Sequence, residues 1–78
     1  MNWTPTPSPF PHILIWLAVP RPYQYVISFD TFNGRWGASA KTADDSDPRR
    51  PRIDLGWHFV TRAEAEAACE RHARSAAQ

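Results

Sequence analysis

The stretch that decides the fold is Leu55-Gly-Trp-His-Phe-Val-Thr-Arg-Ala-Glu-Ala-Glu-Ala-Ala-Cys-Glu-Arg-His-Ala73. Its first part continues an alternating pattern that predicts a β-strand with one apolar face, formed by Ile53, Leu55, Trp57 and Phe59. Its second part opens with Thr61 and Glu64, the spacing of a capping box, and therefore predicts a helix that begins here. Small residues recur along this helix at helical spacing and predict the side that packs on a sheet: Ala65, Ala68, Cys69, His72 and Ala76.

A β-hairpin is predicted upstream, around Asn33-Gly34. Tyr25, Ile27 and Phe29 alternate with polar residues, as in a strand that has one buried face. Asn-Gly is typical of a two-residue type I′ turn, which would place Phe29 opposite Ala38 and Ile27 opposite Ala40. These alanines leave room for the helix above the sheet.

The remaining segments complete the predicted organisation. Residues 12–19 are apolar at both alternating sets of positions, which predicts a strand covered on two sides or an edge strand that something else protects. Residues 1–11 carry proline at every second position from Pro5 to Pro11 and predict an extended, mobile arm. Residues 12–78 then form one domain with a mobile loop at 43–52. The predicted fold is α+β, an antiparallel sheet of three or four strands with one C-terminal helix packed on one face.

Composition limits the function classes. A chain of 78 residues supports one domain, whose stability is about 3–5 kcal/mol. Its single cysteine excludes an internal disulfide and fits a cytoplasmic location. The apolar run at 13–19 is too short for a signal peptide or a membrane span, so no membrane partner is predicted. Nine basic and eight acidic side chains give a net charge of +1, which argues against DNA as the main partner.

Residues with catalytic or metal-binding chemistry are scattered. His12, His58 and His72 could bind zinc with Cys69, but the chain lacks the paired ligand spacing of structural zinc sites. Glu64 belongs to the helix cap and is not predicted to act as a catalytic acid. We therefore predict no enzyme activity, cofactor or metal.

Two sets of residues are candidates for binding. Large aromatics on the arm either fold back onto the domain or meet a partner, and the arginines of the loop suit phosphates or an acidic protein surface. The predicted partner-binding residues are Trp3, Phe10, Arg49, Arg50 and Arg52. The sheet face away from the helix collects a second set that could dock on a protein or read the major groove of DNA: Arg35, Ser39, Lys41 and His58. The apolar strand at 13–19 also leaves homodimerisation open.

The runs Gly34-Arg35-Trp36, Leu55-Gly56 and Phe59 followed by Thr61-Arg-Ala-Glu-Ala-Glu-Ala67 resemble the three-stranded sheet and helix at the N-termini of phage-type tyrosine integrases. The resemblance covers residues 23–76 and implies that the sheet lies in the major groove of arm-type DNA. It places Arg35, Ser39, Lys41 and His58 at groove-facing positions.

The chain is also similar in style to small phage-encoded inhibitors such as anti-CRISPR proteins, which are compact, near-neutral and without an active site. This likeness implies that the chain occupies a surface of a host protein or nucleoprotein complex. The predicted function is a non-enzymatic protein-binding module of this kind, and the alternative is a small DNA-binding domain.

Overall fold

The computed structural model describes residues 1–43 and 52–76. Within these residues the chain forms an antiparallel sheet of five strands, in the order in which they occur in the chain, followed by one helix. The strands are β1 (Thr4–Thr6), β2 (Ile13–Ala18), β3 (Tyr23–Asp30), β4 (Arg35–Thr42) and β5 (Ile53–Phe59), and the helix is α1 (Arg62–Ala76). The predicted α+β class and the single C-terminal helix are confirmed, whereas the predicted number of strands, three or four, is wrong.

The additional strand, β1, lies within the segment that the prolines predicted to be an arm. Pro5 pairs with Trp16, and Thr4 and Thr6 pair with Leu17 and Ile15. Proline is tolerated here because β1 is an edge strand, with a neighbour on one side only. Extended geometry, which the prolines favour, is therefore compatible with a place in the sheet.

The β3–β4 hairpin is shifted by two residues from the predicted register. Ile27 lies opposite Ala38, and Phe29 lies opposite Trp36. The reason is a four-residue loop at 31–34 in place of a two-residue turn: Gly34 has a positive φ of 70° and its N–H donates to the Asp30 carbonyl at 2.8 Å. A shift of two residues keeps every side chain on its predicted face.

The core lies between the sheet and α1. Tyr25 and Ile27 of β3 are fully buried beneath the buried Ala65 and Cys69 of the helix. The small alanines Ala38 and Ala40 of β4 complete this layer, as the pattern predicted. Burial of a side chain such as that of Ile27 stabilises the fold by about 1.5–3 kcal/mol.

The capping box at the start of α1 is confirmed. The Glu64 N–H donates to Thr61 Oγ1 at 3.2 Å, and Glu64 Oε2 accepts from the N–H groups of Thr61 and Val60 at 3.2 and 2.8 Å. These bonds satisfy amides that have no partner inside the helix. Among the described residues, no helix is both long enough and apolar enough to cross a lipid bilayer.

Candidate binding surface on the open sheet face

The face of the sheet opposite α1, here called the open face, forms a concave apolar groove of about 680 Å³. Its aliphatic side chains come from the neighbouring strands β2 and β3. Ile15 lies opposite Ser28 and Leu17 opposite Val26, and residues opposite each other in a sheet share one face. The lining also includes polar groups at one end, Gln24, Ser39 and Arg52. The apolar residues that line the groove include Ile13, Ile15, Leu17, Val26, Phe10 and Trp57.

Two exposed aromatic side chains flank the groove. Phe10, in the connection between β1 and β2, is 57% exposed, and Trp57, on β5, is 52% exposed. The Phe10 ring lies 6.0 Å from His12, which stacks on Phe32 at 4.5 Å. The groove therefore has an aromatic group near each side and an aliphatic floor between them.

The backbone of β5 places Trp57 on the open face, although the alternating pattern predicted it on the same face as Leu55 and Phe59. The pairing of β4 with β5 changes register on both sides of Ala38, and Gly56 and His58 have positive φ values of 138° and 84°. These irregularities turn Trp57 away from Leu55 and Phe59, which pack against the core.

Gly37 makes room for the displaced tryptophan. A Cβ atom at Gly37 would lie within 2.8 Å of the Trp57 ring, closer than real Cβ contacts. The ring therefore packs directly on the backbone of β4, which only glycine allows here.

The polar end of the groove is built around Arg52. Its Nε donates to Ser39 Oγ at 2.8 Å, and its two terminal nitrogens donate to Gln24 Oε1 and the Gln24 carbonyl at 3.2 and 3.3 Å. Partial burial lowers the pKa of Arg52 from its ordinary value. All three acceptors are neutral, and within the part of the chain that the structure describes no carboxylate pairs with this guanidinium.

The predicted partner-binding residues do not form one cluster. Phe10 and Arg52 line the groove. Trp3 is half-buried and packs against the core on the helix side of the sheet. Arg49 and Arg50 lie outside the described residues. Of the two alternatives for the arm aromatics, Trp3 folds back onto the domain, while Phe10 stays exposed.

Three of the four predicted DNA-facing residues, Arg35, Ser39 and Lys41, are spread along the open face. Arg35, opposite Asp30, and Lys41, opposite Gln24, lie at the two ends of the β3–β4 pair, and Ser39 accepts the hydrogen bond from Arg52. His58 is exposed on the irregular part of β5. The centre of the face is the aliphatic groove, so the structure does not bring these four residues together.

The helix side of the sheet holds two buried titratable side chains, Tyr25 and Cys69. The Tyr25 hydroxyl forms a hydrogen bond of 2.8 Å with Nδ1 of His72, and burial raises the pKa of Tyr25. Burial also raises the pKa of the Cys69 thiol to about 11, so this thiol stays neutral at physiological pH and is a poor nucleophile. Among the described residues, no three His, Cys, Asp or Glu side chains lie close enough to hold a metal ion.

Sequence reasoning missed the floor of the groove. Its signal was present in β2, whose residues are apolar at both alternating sets of positions, as in a strand covered on two sides. The outer-face prediction counted polar residues of the hairpin together with His58 and left Ile15, Leu17 and Val26 out.

No family model matches this chain, and it has no significant match among curated proteins or solved structures.

Proposed function

We propose that this protein is a non-enzymatic protein-binding module and that the open-face groove is its binding site. The observation that carries the proposal is the groove itself, a largely apolar lining flanked by the exposed rings of Phe10 and Trp57. Contiguous apolar surface of this kind is characteristic of interaction sites, because its exposure to water is unfavourable.

The residue types of the groove suit a protein partner. Aromatic and arginine side chains contribute most of the binding energy at protein interfaces, and here Phe10, Trp57 and Arg52 surround an apolar centre. The more specific prediction is that the protein is encoded by a mobile element and inhibits a host complex. Only the size and charge of the chain support it.

DNA binding by the open face is the second candidate. Arg35, Ser39 and Lys41 share this face through their register with β3, which favours the candidate. Sequence readout, however, requires donors and acceptors at the centre of a docked face. Here Ile15, Leu17 and Val26 form most of the centre and Ser28 between them is buried, so the residue types there favour a protein.

An immobilised chain tests the first candidate. We expect the wild type to retain a protein from lysate of its source after nuclease treatment, and the double variant Phe10→Ala/Trp57→Ala to lose it. Val60→Ala is the control, because Val60 is an apolar side chain that is 62% exposed and does not line the groove. Equal retention by the double variant would show that the groove is not the site. The variants Arg49→Ala and Arg50→Ala test the remaining predicted partner residues in the same assay.

The DNA candidate makes a different prediction. Its affinity would fall steeply with salt and would weaken on Arg35→Ala or Lys41→Ala, because these side chains would neutralise phosphates. If a captured protein stays bound after nuclease treatment, and neither Arg35→Ala nor Lys41→Ala weakens its capture, the DNA candidate is excluded.

A further inference from the structure

We infer that the segment which occupies the groove is an amphipathic α-helix of the partner, about three to four turns long, with a carboxylate at the end that meets Arg52. This inference deepens the proposed function and depends on it. Four features carry it: the dimensions of the groove, the character of the sheet edges, the surface of α1 and the environment of Arg52.

The dimensions of the groove fit a helix. Along the strands it runs from Ile13, which is level with Asp30, to Gln24, a distance of about 20 Å at about 3.3 Å per residue. A helix of this length has about 13 residues. Across the strands, from β2 to β5, three spacings give about 14 Å, and a helix with its side chains is about 10–12 Å wide.

The edges of the sheet are poor sites for an added strand, which is the other common way to bind a peptide. β1 is three residues long and contains Pro5, which has no N–H to donate. At the opposite edge, positive φ values at Gly56 and His58 interrupt the extended geometry of β5. A partner therefore gains more from the face of the sheet than from its edges.

A second copy of the chain is a poorer occupant than a partner helix. The outward surface of α1 exposes the charged Glu70, Arg71 and Arg74, and its exposed apolar residues are only the alanines at 63 and 67, so among its described residues this helix has no large apolar side to offer to another groove. Two open faces packed together would place one hollow against another and leave a void. A convex, apolar helix surface fills the hollow.

Arg52 determines the charge of the occupant. Its guanidinium is partly desolvated and bonded to neutral oxygens of Ser39 and Gln24, and Lys41 lies opposite Gln24 in the sheet. A charged donor in such a setting forms a stronger bond with a carboxylate than with a neutral acceptor. A glutamate or aspartate at this end of the bound helix would supply that acceptor.

The test selects binders from a display library of 16-residue peptides in which leucine, alanine, serine, lysine, glutamine and glutamate are allowed at every position. We expect enriched peptides to carry leucine at positions i, i+3, i+4 and i+7 and glutamate near one end. Replacing that glutamate by glutamine should weaken binding to the wild type by about tenfold or more. The same replacement in the peptide should have little effect on its binding to the protein variant Arg52→Gln. The control variant Arg71→Gln, which changes an exposed arginine on α1, should bind both peptides as the wild type does.

Several results would overturn the inference. In the peptide selection, these are enrichment of alternating, strand-like patterns, selection of glutamate by the Arg52→Gln variant as well, or no enrichment at all. In light scattering, it is a dimer that Phe10→Ala/Trp57→Ala disrupts. Arg52→Met, which removes the charge but keeps an unbranched side chain, replaces Arg52→Gln if the latter does not fold. If lysate capture still depends on Phe10 and Trp57 while the peptides fail, the groove remains the site and only the helix is wrong. If capture depends on neither residue, the proposed function itself is wrong, whatever the peptides show.

Discussion

The thiol of Cys69 should make the fold sensitive to alkali. Cys69 is fully buried, and burial, followed by the nearby Glu66 and Glu70 carboxylates, raises its pKa from 9.0 to about 11. In the unfolded chain the thiol ionises near its ordinary value, while in the folded chain it stays protonated. Between about pH 9 and 11 ionisation therefore favours the unfolded state, and the stability that the neutral thiol contributes at lower pH is progressively lost.

The size of this loss follows from the two pKa values. They differ by about two, and each tenfold change in proton affinity is worth about 1.36 kcal/mol, so the folded state loses about 2.3 kcal/mol by pH 11 and at most about 2.7 kcal/mol above it. A domain of this size has only about 3–5 kcal/mol in total. Ionisation of a single thiol should thus remove about half or more of the free energy of unfolding.

Urea unfolding, followed by tryptophan fluorescence at several pH values from about 8 to about 11, measures this loss. Cys69→Ala is the control, because it has no thiol to ionise and should show a much flatter decline over the same range. Tyr25, whose pKa burial also raises, contributes at the upper end of this range, so Cys69→Ala/Tyr25→Phe should be flatter still. A parallel loss of stability in the wild type and in Cys69→Ala would refute the reasoning.

Three substitutions give further expectations. Gly37→Ala should push the Trp57 ring off β4, shift its fluorescence to longer wavelength and weaken partner capture, because the new Cβ atom has no room beside the ring. Tyr25→Phe should lower the free energy of unfolding in urea by about 1 kcal/mol, since it removes the bond to His72. Thr61→Ala should cost a similar amount, about 1 kcal/mol, and reduce helicity in circular dichroism, because the cap on α1 loses its acceptor.

Two exposed positions serve as controls for the stability measurements. Ala63→Ser changes an exposed position of α1 and should leave unfolding unchanged, and Thr42→Ala removes an exposed hydroxyl that caps no helix. Unchanged Trp57 emission in Gly37→Ala would contradict the packing of the ring on β4. Wild-type stability in Tyr25→Phe or Thr61→Ala would show that the corresponding hydrogen bond adds nothing to the fold.

Local signals in the sequence predicted the elements that depend on local chemistry. The cap of Thr61 and Glu64 fixed the start of α1, and the spacing of Ala65, Ala68 and Cys69 identified its buried side, because both are determined within a few turns of chain. The strand face of Tyr25 and Ile27 followed from strict alternation.

The features that sequence reasoning missed depend on contacts between distant segments. Asn33-Gly34 suggested a two-residue turn, yet the Asp30 carbonyl accepts from Gly34 and closes a longer loop. Pairing of Pro5 with Trp16 brings β1 into the sheet, and the φ values of Gly56 and His58 turn Trp57 to the other face. The groove combines β2, β3 and β5, so no single segment could reveal it.

The order of the strands also has a consequence for synthesis of the chain. Each strand pairs with its neighbour in sequence, so every hairpin can form as soon as its second strand has left the ribosome. The element that covers Tyr25, Ile27, Ala38 and Ala40 is α1, and it is made after all five strands. Until Arg62–Ala76 emerges, both faces of the nascent sheet expose apolar side chains, so a stalled or truncated product is the form of this protein most prone to aggregate.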